Sequence, residues 1–201
     1  MIISIVGYKG GVGKTTTAIH LAGYLQTKVP TLLVDSDKNR SALVWNREEK
    51  LPFKTVAIAA AGKWLGQYQH SVFDTAARPS PEELQDLAEA SDLLLLPTPP
   101  KGLDLDALIK MVDLLQETEA NFKILLTQVP PRSSAIKDAR RTLDELKLPM
   151  FKAEIPKLVA FEKAPLAGVL IKDYPNKYSD RGWKAYQAVG REILKECRIE
   201  N

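Results

Sequence analysis

One octapeptide constrains this 201-residue chain more than any other feature: Lys9-Gly10-Gly11-Val12-Gly13-Lys14-Thr15-Thr16. It sits between the apolar run Ile2–Val6 and a helical pattern that opens at Lys14. Its three glycines let the backbone curl so that several N–H groups point inward. A helix that begins at once then presents its positive end to whatever anion the curl holds. A strand leading straight into such a loop, with a helix leading out, is the opening arm of a βαβ unit.

The rest of the chain repeats that alternation. Strands are expected at Ile2–Val6, Thr31–Asp35, Lys54–Ile58, Ser71–Asp74, Asp92–Pro97, Lys123–Gln128 and Phe151–Ile155. Leu93-Leu94-Leu95-Leu96 and Ile124-Leu125-Leu126 are continuously apolar, as strands covered on both faces should be. Helices are expected at roughly 14–27, 81–90, 103–119 and 134–147, with a last amphipathic one from Gly182 to Cys197. Ser80-Pro81-Glu82-Glu83 writes out a capped helix start. Neither a repeat nor a long linker interrupts the pattern. The expectation is one α/β domain over residues 1–201, a doubly wound, mostly parallel β-sheet sandwiched by helices.

Composition narrows the chemistry. The single cysteine, Cys197, allows no internal disulfide and cannot alone hold zinc or an iron–sulfur cluster. His20 and His70 lie far apart on periodic apolar segments and read as structural. No apolar run is long enough to span a bilayer, and the opening residues read as a strand rather than a signal peptide, so a cytoplasmic protein is expected. The net charge of +3 is unevenly spread: residues 1–120 carry 12 basic and 15 acidic groups, residues 121–201 carry 16 and 10. That asymmetry points to a polyanion-facing side in the C-terminal part.

The loop's chemistry is that of a triphosphate site. Lys14 should reach the β- and γ-phosphates, Thr15 should complete a Mg²⁺ shell, and Thr16 should donate to the α-phosphate. The strict P-loop pattern asks for glycine where Tyr8 stands, and the loop instead carries an extra lysine, Lys9.

With that lysine the octapeptide resembles the deviant Walker A loop of the ParA/MinD superfamily of P-loop NTPases. Leu32-Leu33-Val34-Asp35-Ser36-Asp37 resembles the family's second motif, and Val72-Phe73-Asp74-Thr75 its Walker B strand end. Ile155-Pro156, Ala164-Pro165, Gly168, Tyr174, Gly182 and Ala185-Tyr186 resemble its C-terminal signature. The likeness runs nearly end to end, at the size of ParA proteins without an N-terminal DNA-binding extension.

The resemblance implies ATP and Mg²⁺ as cofactors. Phosphates would be cradled by Gly10, Gly11, Val12, Gly13, Lys14, Thr15 and Thr16, with adenine against Thr127-Gln128 and Ile155-Pro156-Lys157. Asp74 and Asp35, ending neighbouring strands, should face the metal with Thr15, and Asp37 should orient the attacking water. Lys9 is implied to cross a homodimer interface to the partner's ATP, as an arginine finger does. Lys38-Asn39 and Ala76-Ala77 stand where the family usually has Pro-Gln and proline.

The last helix has a second face. Lys184, Arg191, Lys195 and Arg198 stack along it, with Arg181 just before. Such a row suits salt-sensitive, sequence-independent contacts to phosphates, and it equally suits an ordinary solvated face. The resemblance favours DNA, with Lys157 and Arg181 foremost. It implies a nucleoid-associated switch that positions a plasmid, chromosome or protein cargo through a ParB-like adaptor. MinD-like membrane binding is disfavoured by the acidic, apolar-poor end Glu196–Asn201. Two other readings stand beside it: a nucleotide-gated scaffold with little turnover, and a metabolic ATPase of the same loop type.

Overall fold

The computed structural model describes residues 1–116, 118 and 120–196. Six strands form its sheet: β1 (Ile2–Gly7), β2 (Thr31–Asp35), β3 (Lys54–Ala57), β4 (His70–Ala77), β5 (Leu93–Thr98) and β6 (Phe122–Leu126). Their order is β3-β2-β4-β1-β5-β6, and every pairing is parallel. The chain winds outward from β1 to β3, returns through β4, and continues past β1 to β6. The sheet is thus doubly wound, and its direction reverses beside β1.

Successive leucines in β5 face opposite layers. Leu93 and Leu95 join Ile3, Ile5, Leu33 and Val72 under α1 (Lys14–Gln26), α7 (Val159–Ala167) and α8 (Ser179–Glu196). Leu94 and Leu96 join Val6, Ile124 and Leu126 under α4 (Pro81–Ala90), α5 (Gly102–Gln116) and α6 (Ala135–Glu145). A smaller cluster of Leu32, Val34, Val56 and Ala61 fills the β3 end. Burying each large apolar side chain is worth roughly 1.5–3 kcal/mol, so both faces of the sheet contribute to stability.

The capped start of α4 forms as its sequence dictates. Ser80 Oγ accepts from Glu83 N at 3.1 Å, and Glu83 Oε2 accepts from Ser80 N at 2.8 Å. Two short helices, α2 (Ser41–Trp45) and α3 (Ile58–Ala61), follow β2 and β3. The third expected strand therefore stops at Ala57, where an alanine-rich turn of helix begins.

The expected seventh strand, Phe151–Ile155, is not one. It runs beside β6 and keeps two bonds to it, from Phe151 N to the Ile124 carbonyl and from Ile155 N to the Leu126 carbonyl, both at 2.9 Å, with isolated bridges at Met150–Ile124 and Pro156–Val129. Between those two bonds the amides turn to α8: Lys152 N and Ala153 N donate to the Glu192 carboxylate at 2.9 and 2.8 Å. The carbonyls of Phe151 and Lys152 accept from the Arg140 guanidinium at 3.2 and 2.9 Å. Side chains thus satisfy backbone groups in the middle of the segment, and the ladder is broken there.

The last helix lies against α1 at close range. A Cβ placed on Gly190 would fall 2.0 Å from the Tyr24 ring, so only glycine fits this crossing. Arg198 and Cys197, expected at the end of this helix, lie outside the described residues. Among the described residues no helix is long and apolar enough to cross a membrane.

Candidate functional site

Parallel sheets bind ligands beyond the carboxyl ends of strands, where winding direction reverses. Here that place is the end of β1, and the glycine-rich loop occupies it. Gly11 and Gly13 have φ of 77° and 99°, left-handed values that a side chain would strain. Gly13 leads directly into α1, and its carbonyl accepts from Thr17 N at 2.8 Å. The loop's open side faces a cleft of about 520 Å³, within the usual range for small-ligand sites.

Gly10, Gly11, Gly13, Lys14, Thr15 and Thr16 line this cleft, together with Asp37, Thr127, Gln128, Pro156 and Lys157. Most of the expected site residues are therefore brought together. Val12 is the exception within the loop: its side chain is buried, and its carbonyl accepts from Thr127 Oγ1 at 2.8 Å. Gln128, itself at φ 50°, donates from Nε2 to the Gly11 carbonyl at 2.5 Å. Two residues from the end of β6 thus hold the curl of the loop from outside.

Strand register places the acids. Asp74 pairs with Ile5 of β1 on one side and with Asp35 of β2 on the other. Asp74 is fully buried, and among the described residues both its carboxylate oxygens lack a hydrogen-bond partner. Burial pushes its pKa up to about 7. Thr15, on its flank but outside bonding geometry, offsets part of that rise, and Asp35 adds to it. Burial also lowers the Lys14 pKa, while the charges of Asp74 and Asp37 pull it back. A buried carboxylate with two idle oxygens beside a threonine hydroxyl suits a magnesium ion, which keeps few protein ligands and takes others from phosphate and water. Among the described residues no cluster of three acidic, histidine or cysteine side chains could cage a metal.

Asp35, at the end of β2 beside Asp74, is tied to the 36–43 loop. Its Oδ1 accepts from Asp37 N at 3.2 Å and its Oδ2 from Leu43 N at 3.0 Å. Each oxygen keeps a lone pair beyond the one that the loop engages. Asp37 borders the cleft, with Oδ1 accepting from Asn39 N at 2.9 Å.

Lys9 lies apart. Its ammonium donates to the Leu103 carbonyl at 2.5 Å and pairs with Asp104 Oδ1 at 3.2 Å, at the start of α5. It does not line the cleft, whereas the Lys14 ammonium reaches back to the Lys9 carbonyl at 3.4 Å.

Behind the loop lies a buried cluster built on His20, which the sequence marks as structural, and on Tyr186. His20 is fully buried: Nδ1–H donates to the Thr16 carbonyl at 2.7 Å, and Nε2 accepts from Ile171 N at 2.9 Å. These partners fix the neutral tautomer, and burial lowers its pKa to about 4. Tyr186, stacked on His20, bonds Thr17 through its hydroxyl at 3.1 Å and lines the cleft. The sequence places His20 on the apolar side of the first helix and Tyr186 in the C-terminal signature, but nothing in it joins the two.

The basic side chains are exposed. Lys157 borders both the nucleotide-sized cleft and a smaller cavity that also contains Arg181. Arg181, Lys184, Arg191 and Lys195 lie on the solvent side of α8, with Lys184 paired to Asp180 at 2.7 Å. The other three and Lys157 make no ion pair among the described residues.

The arrangement accommodates a polyphosphate with a divalent cation, and fold and loop together define a P-loop nucleotide-binding protein. Within that class, residues 3–171 match the model of the CobQ/CobB/MinD/ParA nucleotide binding domain, and the chain belongs to that family. It is 34% identical over 206 residues to the maintenance of carboxysome distribution protein A of Gloeobacter kilaueensis, covering 98% of this chain and 95% of that protein. The fold is shared with the septum site-determining protein MinD of Pyrococcus horikoshii in complex with Mg-ADP, at a TM-score of 0.74 and 20% identity over 100% and 98% of the two chains. It is also shared with a Cyanothece McdA variant in complex with ATP, at a TM-score of 0.71 and 15% identity over 94% and 96%.

Proposed function

We propose that this ParA/MinD-type chain is an ATP-driven positioning switch. Two copies close around ATP, the closed dimer holds duplex DNA without regard to sequence, and a ParB-like adaptor on the cargo stimulates hydrolysis. The relative named for carboxysome distribution favours a protein assembly as that cargo, with the nucleoid as the track.

The observation that carries this reading is the placement of the two loop lysines. Lys14 is buried at the floor of the cleft, where its ammonium would meet phosphate charge. Lys9 is turned out of its own cleft toward a surface that includes half-exposed Tyr8 and exposed Leu103. An ammonium outside its own site is available to another copy's.

Within the cleft, Thr15 and Asp74 would hold Mg²⁺, which supplies charge neutralisation across the β- and γ-phosphates. Gly10, Gly11, Gly13 and Thr16 would offer phosphate donors, and Gln128 and Pro156 would flank the base. The free oxygen of Asp37 would orient water. Asp35 would act one step removed, by holding the loop that carries Asp37.

For the DNA track we propose Lys157, Arg181, Lys184, Arg191 and Lys195, with Arg198 continuing the row in sequence. Five phosphate contacts would give a slope of log affinity against log salt near −4 to −5. The test compares DNA binding in ATP, ADP and no nucleotide across a salt series, alongside a Lys9→Ala variant. ATP-only, steeply salt-dependent binding and a hydrolysis-deficient variant are expected. Equal binding in all three states, or full-rate hydrolysis by Lys9→Ala, would overturn the switch.

A further inference from the structure

The reading of Lys9 as a residue that acts on a partner's nucleotide leaves one question: what keeps it from its own. Lys9 and Lys14 are five residues apart in a loop that curls around a single anion site. A flexible four-carbon stem could swing the Lys9 ammonium toward the phosphates of its own subunit. Instead the ammonium is held by two acceptors on α5, the Leu103 carbonyl and the Asp104 carboxylate.

We propose that Asp104 is a positioning residue that parks Lys9 outside the nucleotide cleft of the lone subunit. ATP-driven dimerisation then exchanges this intrachain pair for the partner's phosphates. The proposal rests on the reading of Lys9 as acting in trans.

Three features suit Asp104 to the task. It lies in the first turn of α5, where the helix end favours a carboxylate and holds it in one orientation. Its amide donates to the Lys101 carbonyl at 2.9 Å, which fixes the backbone of that turn. The lysine and aspartate side chains are 34% and 18% exposed. A pair that still touches water is worth little enough to be given up when a triphosphate competes, unlike a pair buried in the core.

Symmetry doubles the consequence. A two-fold dimer releases two latches, one per subunit, so the factor for a single latch enters the dimer equilibrium twice. If one half-exposed pair holds back its lysine about 3-fold, the dimer dissociation constant is raised about 10-fold.

The test measures the protein concentration at half-dimerisation by sedimentation, with a non-hydrolysable ATP analogue, for native protein and Asp104→Asn. The substitution is nearly isosteric, keeps an acceptor oxygen and removes the charge. A midpoint lowered about 10-fold is expected, restored toward the native value by Asp104→Glu. In a Lys9→Ala background the Asp104→Asn change should have no effect, which a merely structural role for Asp104 would not produce.

An unchanged or raised midpoint overturns the latch, as does an equal shift in the Lys9→Ala background. Failure of the underlying reading looks different. A Lys9→Ala single variant that dimerises and hydrolyses ATP like native protein overturns the trans role itself, whatever Asp104→Asn does.

Discussion

Replacing Asp74 by asparagine should make the nucleotide-free protein more stable while disabling it. The carboxyl is fully buried, has no hydrogen-bond partner on either oxygen among the described residues, and titrates near 7 rather than at its usual value of 3.8. Because its folded pKa is raised, the folded state keeps a proton that the unfolded state has lost, and stability falls as pH rises through this window. A shift of about 3 units corresponds to roughly 4 kcal/mol at 1.36 kcal/mol per unit. Water entry and relaxation around Lys14 reduce that to about 2–4 kcal/mol. For a domain of this size the gain amounts to roughly 5–15 °C in melting temperature.

The assay is thermal unfolding of native protein and Asp74→Asn from pH 4 to pH 8. Without nucleotide the curves should coincide near pH 4, separate steadily up to pH 7, and stay parallel above it, with the variant higher. Saturating Mg-ATP should reverse the order at pH 8, because only the native carboxylate gains a cation. Ligand at 1,000 times its dissociation constant adds about 4.1 kcal/mol to the native protein, enough to offset the whole gap. A variant no more stable than native at pH 8, or a gap that ignores pH, would refute the idea of an idle buried carboxylate.

Other outcomes follow from the same geometry. His20 titrates in the opposite sense: its pKa is depressed from 6.5 to about 4, so its contribution to stability is present above pH 6.5 and lost as pH falls toward 4. Asp74→Asn should unmask this, losing about 3 kcal/mol between pH 6.5 and 4 where the native protein stays nearly level; a flat variant profile would contradict it. Gly190→Ala puts a methyl carbon 2.0 Å from the Tyr24 ring and should destabilise by roughly 1–3 kcal/mol or more in urea unfolding. Glu192→Ala removes both acceptors of the Lys152 and Ala153 amides and should cost about 2 kcal/mol, with faster hydrogen exchange confined to those amides and their neighbours. Thr127→Val deletes the hydroxyl that holds the buried Val12 carbonyl and should weaken nucleotide affinity several-fold by calorimetry, with a melting temperature lowered by roughly 2–10 °C.

What could be read from the sequence was what neighbouring residues decide among themselves. The loop's glycines, the capped start of α4 and the doubly apolar strands need only local chemistry, and each stands where it was expected. The short helices α2 and α3 are too brief for a 3.6-residue period to register. In α7, Pro165 interrupts the signal that its other residues carry. The 151–155 segment has a strand's composition, and what diverts it is a carboxylate from Glu192, some 40 residues away. Asp35 likewise ends a strand as a metal ligand might, and the amides that also bond it belong to a loop folding back over it.

The contacts that shape the phosphate loop are nearly all of this distant kind, and they come from three separate elements. Thr127 and Gln128 fix its carbonyls from the end of β6, and Leu103 and Asp104 hold Lys9 from α5. Tyr186 reaches Thr17 from α8. The helix that carries Lys184, Arg191 and Lys195 on its outer face therefore lines the nucleotide cleft with its inner one. Lys157 shortens the path further, since its backbone follows the cleft-lining Pro156 and its side chain borders the cavity that Arg181 shares. On the proposed reading, a change at the phosphates that shifts α8 against α1 would be felt by the basic row. The Gly190–Tyr24 crossing, with no room for a methyl group, leaves that movement few directions to take.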